Sequence, residues 1–318
     1  MVRNRIIFLT AVALLLLAAC TGGRQEPLPT RSFPEVQFPA MLPSEEAADY
    51  ALDHFWDAFL DTTGRYLCDS THVAGVSDRT VATQLATYLS VLENLPPERT
   101  GARMSAFFDQ LERYQAADSS SNVFEWMTDA VDHYLFDPNS EIRSEELYLP
   151  FISKLAVSPL TRESMRARYA YAARVCSTHR IGAPASDFRF LDARGREHTL
   201  YGERAPLTIL LFVNPGCHAC EETVEAFGDE RTQALVAAGK LRIISIYIDE
   251  DVDDWRAKAA AMPAHWLNGY DPDGLIRSDQ LYFVRAIPSV YLLDADKRIL
   301  MKDAVPGRVA AYIENCEL

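Results

Sequence analysis

Two cysteines separated by two residues, Cys217 and Cys220, have the type and spacing that could do chemistry. They directly follow the apolar run 207–213, and residues 221–227 continue with helical spacing. This order predicts a strand, a tight turn and a helix that begins at the first cysteine. A sulfur at a helix start lies among unpaired backbone N–H groups and at the positive end of the helix dipole, which favours thiolate over thiol. We therefore predict that Cys217 attacks a partner disulfide and that Cys220 resolves the mixed disulfide.

Two other uses of a Cys-x-x-Cys pair compete with this interpretation. A structural zinc site needs four ligands, usually from a second matching pair, and the sequence contains no second pair. Cys316 and scattered histidines would have to complete such a site. A structural disulfide is the second alternative, although such bridges seldom lie at a strand-to-helix turn with one sulfur at the helix start. Redox chemistry is the favoured interpretation, and no metal is expected.

The first twenty residues have the features of a bacterial lipoprotein signal. Arg3 and Arg5 precede an uncharged apolar run from residue 6 to residue 19, and Cys20 follows directly. The run is too short to span a bilayer comfortably, and small residues precede the cysteine, which is typical of a signal peptide. The Leu-Ala-Ala-Cys ending resembles the lipobox, where the signal is cut before a cysteine that carries the lipids. We expect residues 1–19 to be removed and Cys20 to anchor the protein.

Composition divides the rest of the chain into a tether and two globular domains. Residues 20–44 contain five prolines and little periodicity, which predicts a semi-rigid spacer. We assign residues 45–179 to an all-α domain and residues 180–318 to an α/β domain. The net charge of −14 and the lack of a basic aromatic patch argue against nucleic-acid binding. The signal places the globular part in the cell envelope, periplasmic or surface-exposed and anchored to the outer or inner membrane, where disulfide chemistry is permitted.

The all-α domain repeats apolar residues at helical spacing. The first of these stripes follows a plausible cap at Ser77 or Asp78 and stops before Pro96. Stripes of this spacing usually form a core rather than a ligand groove, so we predict five or six packed helices and no catalytic group. The four stripes are Val81, Leu85, Tyr88, Leu89 and Leu92; Met104, Phe107, Phe108, Leu111 and Tyr114; Val123, Phe124, Met127, Val131 and Tyr134; and Met165, Tyr169, Ala172 and Val175.

From residue 181 the pattern changes to strands and turns, and four motifs follow in order. They are Gly182-Ala183-Pro184 with Phe188, the Cys-x-x-Cys pair, Asp249 after the next strand, and Ile287-Pro288 before an apolar strand. In this order they resemble the thioredoxin superfamily, specifically the TlpA- and ResA-like, AhpC/TSA-related thiol-disulfide oxidoreductases of the cell envelope. The resemblance covers residues 180–318. It implies an α/β thioredoxin-like fold, in which helices flank a central mixed β-sheet.

The thioredoxin resemblance also assigns roles to particular residues. Cys217 matches the exposed nucleophile, and Cys220 matches the buried resolving cysteine. Pro288 matches the proline whose peptide bond with Ile287 is cis and which faces the two sulfurs. The Ile287 backbone would pair with an extended substrate segment in the manner of an added strand. No cofactor is implied beyond the redox-active Cys217–Cys220 disulfide.

The sequence departs from the thioredoxin pattern around the two sulfurs. Gly216 precedes the motif, and His218 and Ala219 lie within it. His218 is expected to support the neighbouring thiolate, which would make the couple more oxidising. The buried acid of thioredoxins, six residues before the first cysteine, is Leu211 here, so proton transfer at Cys220 needs another group or water. The direction of electron flow therefore stays open.

The remaining parts of the sequence add one resemblance and one open question. The helical region is similar to the N-terminal domain of unknown function DUF5106, which accompanies some envelope thioredoxin-like proteins and implies no activity. Cys68, Cys176 and Cys316 are left over, and three is an odd number. Cys68 with Cys176 could staple the helical domain, but the pairing stays open.

Two hypotheses about function follow. The first is a lipid-anchored envelope thiol-disulfide oxidoreductase that exchanges disulfides with protein substrates through the Cys-His-Ala-Cys pair. Its partners would be protein dithiols or disulfides and a membrane electron donor or acceptor. The alternative is a lipoprotein binding module whose helical domain docks a partner, with the thioredoxin-like fold as a scaffold. The presence of both cysteines argues against the alternative, because a scaffold needs neither.

Overall fold

The computed structural model describes residues 27–214 and 216–316, which form a helical region followed by an α/β region. The α/β region contains a mixed β-sheet with flanking helices, so the predicted fold class is confirmed. The helical region also carries a short hairpin of β1 (His72–Val73) and β2 (Val76–Ser77), which the prediction of an all-α domain did not include. The predicted signal peptide and Cys20 lie outside the described residues.

The helical region is built on the apolar stripes of its helices. All residues of the first two stripes are buried, whereas Tyr134 and Met165 in the other two are half-buried. Ser77 is the N-cap of the helix that carries the first stripe, and its hydroxyl accepts a hydrogen bond from the Thr80 N–H at 3.3 Å. The stripes are therefore core, as predicted. The helices of this region are α1 (Ala47–Asp53), α2 (Asp78–Glu93), α3 (Pro97–Ala117), α4 (Val123–Phe136), α5 (Glu145–Leu155) and α6 (Glu163–Cys176).

Part of the predicted spacer is bound to the helical region. The Arg31 N–H donates a hydrogen bond to the Gly75 carbonyl at 2.8 Å. The Phe33 ring stacks on Phe59, with 5.2 Å between ring centroids. The prediction of a semi-rigid spacer across residues 20–44 did not include these contacts. The prolines correctly indicated an extended chain, but an aromatic ring is stabilised by packing on other rings, and this draws the segment onto the domain.

The sheet of the α/β region has the strand order β4-β3-β7-β6-β5-β8-β9. Its central pairs are β5 with β6, which are parallel, and β5 with β8, which are antiparallel. Every residue of β5 is buried, because alternate side chains enter apolar clusters on opposite faces of the sheet. The strands are β3 (Arg189–Asp192), β4 (Glu197–Thr199), β5 (Leu207–Phe212), β6 (Leu241–Tyr247), β7 (Leu267–Tyr270), β8 (Ser289–Leu293) and β9 (Ile299–Met301).

Helices pack on both faces of this sheet. Cys220 and Phe227 pack in one apolar cluster with Val309 and Ile313, whereas Ile276 packs in the cluster on the other face. The helices are α7 (His218–Ala226), α8 (Glu230–Ala237), α9 (Val252–Lys258), α10 (Leu275–Ser278) and α11 (Pro306–Asn315). Across the described ranges, none of the helices is both long enough and apolar enough to cross a membrane.

A buried ion pair joins the two regions. Lys302 Nζ, just after β9, lies 2.5 Å from a carboxylate oxygen of Glu145, the first residue of α5. The two side chains are 5% and 2% exposed. Burial raises the pKa of the Glu145 carboxyl, while the positive charge of Lys302 opposes that shift. Lys302 also donates hydrogen bonds to the carbonyls of Cys176 and Thr178, so its ammonium group is satisfied without water.

The leftover cysteines do not pair with one another. Cys68, Cys176 and Cys316 are all free thiols in the part of the chain that the structure describes. Cys176 is buried beside the interdomain ion pair, and Cys68 is half-buried against the helical core. The possible disulfide between Cys68 and Cys176 is therefore not present in the structure.

His179, between α6 and β3, is a half-buried neutral histidine at the junction of the two regions. Its ring stacks on Tyr282 with 4.5 Å between centroids, and its Nε2 lies 2.8 Å from the Ser186 hydroxyl oxygen. Its backbone has a φ of +53°, in the left-handed region. Burial, with a further contribution from the charge of Lys302, lowers the pKa of His179 to about 4.

We expect this histidine to reduce stability in mild acid. An unfolded histidine binds a proton below its ordinary pKa of 6.5, whereas the folded His179 does so only near 4. The free energy of unfolding is therefore unaffected by this histidine above pH 6.5, and it decreases as the pH falls from 6.5 to about 4. The free energy of unfolding should fall by about 2 kcal/mol. This is less than the full pKa shift implies, because the ring is partly solvated. Urea unfolding of the wild type and His179→Asn between about pH 7 and pH 4 checks this, since asparagine tolerates left-handed backbone. Identical slopes against pH would contradict it.

Candidate active site

Cys217 lies where β5 has ended and α7 begins. It is the N-cap of α7, and its carbonyl accepts hydrogen bonds from the N–H groups of Cys220 and Glu221, each at 3.0 Å. Cys217 is partly exposed, whereas Cys220 is buried. Gly216 has a φ of +88°, and a Cβ built there would lie 3.5 Å from Lys258 Nζ. A glycine is therefore required by the backbone of this turn, which places Cys217 at the helix start.

The loop before β8 faces Cys217. The Ile287–Pro288 peptide bond is cis, as the resemblance implied, and Cys217 Sγ lies 4.0 Å from the Ile287 carbonyl oxygen. The antiparallel register explains this proximity, because Phe212 at the end of β5 pairs with Ser289 at the start of β8. Residues 70 positions apart in sequence therefore meet at one edge of the sheet. Of the predicted site residues, the structure brings Cys217, Cys220 and Ile287 into one apolar cluster, and Pro288 directly follows Ile287.

Cys220 is held as a thiol. Burial is the main cause that raises the pKa of Cys220 to about 12, and the nearby Cys217 and Glu221 raise it further. A hydrogen bond from the Asn214 backbone opposes the shift. Leu211, at the position of the missing acid, is buried in the apolar cluster that also contains Cys220. Glu221, whose charge contributes to the raised pKa of Cys220, is exposed.

His218 lies on the outside of the site. Its side chain is 84% exposed, and its Nε2 lies 3.4 Å from a carboxylate oxygen of Glu222 one helical turn later. This position directs at least one ring nitrogen towards an acidic residue on the helix surface. The supporting role of His218 towards the Cys217 thiolate stays a prediction.

A polar contact below the turn was not assigned a role from the sequence. Asn214 Nδ2 donates a hydrogen bond to an Asp249 carboxylate oxygen at 2.8 Å, and Asp249 also pairs with Arg277. Asp249 follows β6, and β6 is the parallel neighbour of β5. The carboxyl ends of parallel neighbours lie at the same edge of a sheet, so an acid directly after β6 could have been predicted to lie near the cysteines.

The helical region holds the loop that precedes Pro288. We call residues 279–288 the cis-proline loop. Arg285, in this loop, donates a hydrogen bond to the Phe136 carbonyl, pairs with Asp303, and lies over the Phe136 ring at 4.3 Å from its centroid. The Phe283 ring lies nearly parallel to Phe136, with 6.3 Å between centroids. Sequence reasoning missed this support, because the contacts join residues 149 positions apart.

The described residues offer no alternative site for a metal. Across residues 27–214 and 216–316, no group of three or more His, Cys, Asp or Glu side chains is arranged to hold an ion.

Comparisons with known proteins agree with this geometry. A family model described as a domain of unknown function, DUF5106, matches residues 17–177. A thioredoxin-like protein from Bacteroides caccae is 32% identical, with a TM-score of 0.76, over 89% of this chain and 98% of that one. The chain belongs to the thioredoxin superfamily and carries a DUF5106 domain. The residues matched to the DUF5106 domain include Arg31 and Phe33, which contact Gly75 and Phe59 of the same domain.

Two other solved structures each cover less than half of this chain. The C-terminal domain of an uncharacterised protein from Bacteroides fragilis is 39% identical over 43% of this chain and 99% of that one, with a TM-score of 0.42. A conserved protein of unknown function from the same species is 34% identical over 42% of this chain and 98% of that one, with a TM-score of 0.41. Comparison with curated proteins gave no significant match.

Proposed function

We propose that this protein is a thiol-disulfide oxidoreductase for protein substrates, with Cys217 as nucleophile and Cys220 as resolving cysteine. The observation that carries the proposal is the position of Cys217 Sγ at a helix start, 4.0 Å from the Ile287 carbonyl in the cis-proline loop. Cys220 lies buried one helical turn further on. The similarity to a thioredoxin-like protein over most of the chain supports the same function.

The proposed exchange proceeds in two steps. The Cys217 thiolate attacks one sulfur of a substrate disulfide, which forms a mixed disulfide and releases the other substrate sulfur as a thiolate that takes up a proton. Cys220 then loses its proton and attacks the Cys217 sulfur, which closes the Cys217–Cys220 disulfide and releases the second substrate thiol. Two electrons pass from the protein to the substrate. The reverse sequence oxidises a substrate dithiol.

The Ile287 backbone beside the sulfurs supports a polypeptide as the substrate. The Ile287 carbonyl, next to Cys217 Sγ, can accept a hydrogen bond from an extended chain, which adds to the loop as a strand does. Such pairing recognises backbone rather than side chains. It suits a protein that acts on cysteines in different sequences.

We also propose that a lipid on Cys20 holds the protein in the bacterial cell envelope, with the globular part periplasmic or at the surface. The Leu-Ala-Ala-Cys ending of the apolar N-terminal run supports this location. A membrane electron donor or acceptor would then return the cysteine pair to its starting state. Labelled fatty acid should be incorporated into the wild type and not into Cys20→Ser, and equal labelling would contradict the anchor.

The reduction potential of the Cys217–Cys220 couple tests the proposed function. The protein is equilibrated with glutathione redox buffers, and each cysteine is quantified by mass spectrometry so that Cys68, Cys176 and Cys316 are followed separately. We expect a reversible two-electron couple. A potential near or below about −220 mV would identify a reductase, and one towards roughly −120 mV an oxidant or isomerase. The lack of any reversible couple would overturn the proposal in favour of a binding module.

A further inference from the structure

A groove between the two domains opens beside the active site. Its volume is about 600 Å³, within the range of about 300–1,000 Å³ that is usual for ligand-binding clefts. The groove extends to Ile287, whose carbonyl lies 4.0 Å from Cys217 Sγ, so it adjoins the nucleophile. Aromatic and aliphatic side chains from both domains line its walls: Phe136, Tyr171, Ile248, Phe283, Val284 and Ile287.

The two walls are bound to each other. Gln280 of the cis-proline loop donates a hydrogen bond to the Tyr171 hydroxyl of the DUF5106 domain at 3.0 Å. The Phe283 ring lies edge-on to Tyr171, at 6.3 Å between centroids. These contacts, with the stacking of Phe283 on Phe136, make the DUF5106 domain one side of the groove. A chain that leaves the loop along this groove therefore contacts the DUF5106 domain.

Cations predominate among the charged groups that line the groove. They are Arg168, Arg277 and Arg285, against the single carboxylate of Asp249, but Arg285 is 10% exposed and paired with Asp303, so only Arg168 and Arg277 present charge to the groove. The side chains of Arg168 and Arg277 are 56% and 63% exposed, so both guanidinium groups reach solvent. Arg168 pairs with Asp132 and Arg277 with Asp249, but a guanidinium has five N–H donors and one carboxylate does not occupy them all. This cationic rim belongs to a chain with a net charge of −14.

We propose that the groove binds the segment of a protein substrate that flanks its reactive cysteine, and that it prefers an apolar residue next to the cysteine followed by acidic residues. This inference rests on the proposed function. The aromatic walls would bury the apolar side chain, and Arg168 and Arg277 would attract the carboxylates. An extended peptide advances about 3.3 Å per residue, so a substrate paired with Ile287 reaches the rim within a few residues. The DUF5106 domain then determines which cysteines react.

Disulfide exchange with matched peptides tests this preference. Three peptides each carry one cysteine, blocked as a mixed disulfide with a chromophoric thiol, and one adjacent leucine. They differ in the following pair of residues, which is Glu-Glu, Ser-Ser or Lys-Lys. We expect the full chain in its reduced form to react about threefold to tenfold faster with the acidic peptide than with the basic one. The ratio should fall as salt is added.

Charge-reversed variants locate the preference. Arg168→Glu combined with Arg277→Glu should abolish or invert the ratio between the acidic and basic peptides. Arg204→Glu is the matched control, because Arg204 is exposed and lies before β5, at the end of that strand opposite Cys217. The control should keep the ratio of the wild type. Reaction with 2-hydroxyethyl disulfide, which is small and uncharged, measures the intrinsic reactivity of Cys217 in every variant.

The outcomes separate this proposal from the proposed function. Equal rate constants for the three peptides, in a protein that reacts with the small disulfide, would overturn the groove preference alone. An unchanged ratio between the acidic and basic peptides in the Arg168→Glu, Arg277→Glu variant would also overturn the groove preference. A preference that changes with protein concentration would indicate a second copy of this chain in the groove, and would also overturn it. Failure to react with the small disulfide would overturn the proposed function itself.

Discussion

Cys217→Ser is expected to lower disulfide exchange with a protein substrate to the uncatalysed rate. The serine hydroxyl cannot form the mixed disulfide, and the remaining Cys220 is buried with a pKa of about 12, so it cannot replace the nucleophile at neutral pH. Cys220→Ser should act differently, because the exposed sulfur still attacks but nothing resolves the product. We therefore expect a mixed disulfide with substrate to accumulate, visible as a heavier species on a non-reducing gel.

Cys316→Ser provides the matched control for both substitutions. Cys316 is a free, half-buried thiol at the end of α11 and belongs to the same domain as the cysteine pair. Its replacement should leave the exchange rate within about twofold of the wild type, as expected for a substitution outside the reacting pair. Undiminished exchange in Cys217→Ser would show that a different sulfur does the chemistry.

Glu145→Ala is expected to destabilise the folded chain by about 3–5 kcal/mol. Lys302 is 5% exposed, and without its partner it would remain buried as an unpaired cation. Its two backbone acceptors lower this cost without removing it. The substitution also removes an acid from the first turn of α5, where a negative charge stabilises the helix. The shift in the midpoint of urea unfolding, followed by tryptophan fluorescence, measures the effect.

Glu146, the next residue in the chain, provides the control for this prediction. Glu146 lies in the same helical turn and pairs with Arg180, whose side chain is half exposed. Glu146 itself is 13% exposed, but Glu146→Ala should cost no more than about 1 kcal/mol, because the Arg180 left behind is half exposed and water can solvate its charge. The double variant Glu145→Leu with Lys302→Met should recover much of the lost stability. Equal losses for Glu145→Ala and Glu146→Ala would show that burial of the pair is not what stabilises this interface.

Local patterns predicted the parts of the site that depend on neighbouring residues. The apolar run before Cys217 and the helical spacing after it indicated β5 and α7, because period and turn chemistry are local properties. The cap at Ser77 and the buried stripe that follows it were predicted for the same reason. The proximity of Ile287 to Cys217 could not be predicted from local patterns, because it depends on the register of β5 with β8. Only the family resemblance made that proximity predictable.

Sequence patterns did not predict the contacts between the domains. Charged residues such as Arg285, Lys302 and Glu145 usually belong to the surface, and nothing in the neighbouring sequence indicates that each is buried against a partner more than a hundred positions away. The docking of Phe33 was missed similarly, because the surrounding prolines indicate an extended chain and say nothing about what it packs against.

The attachment of the cis-proline loop to Phe136 has a practical consequence for enzymology on shortened forms of this protein. A fragment that begins at residue 180 would keep both sulfurs and every strand of the large sheet. It would lose the carbonyl that accepts the Arg285 hydrogen bond and the ring on which Phe283 stacks. Arg285 and Phe283 would then lose these partners in the loop whose Ile287 carbonyl lies 4.0 Å from Cys217 Sγ. Rate constants obtained with such a fragment would describe a loop released from its support, not the enzyme that the intact chain forms.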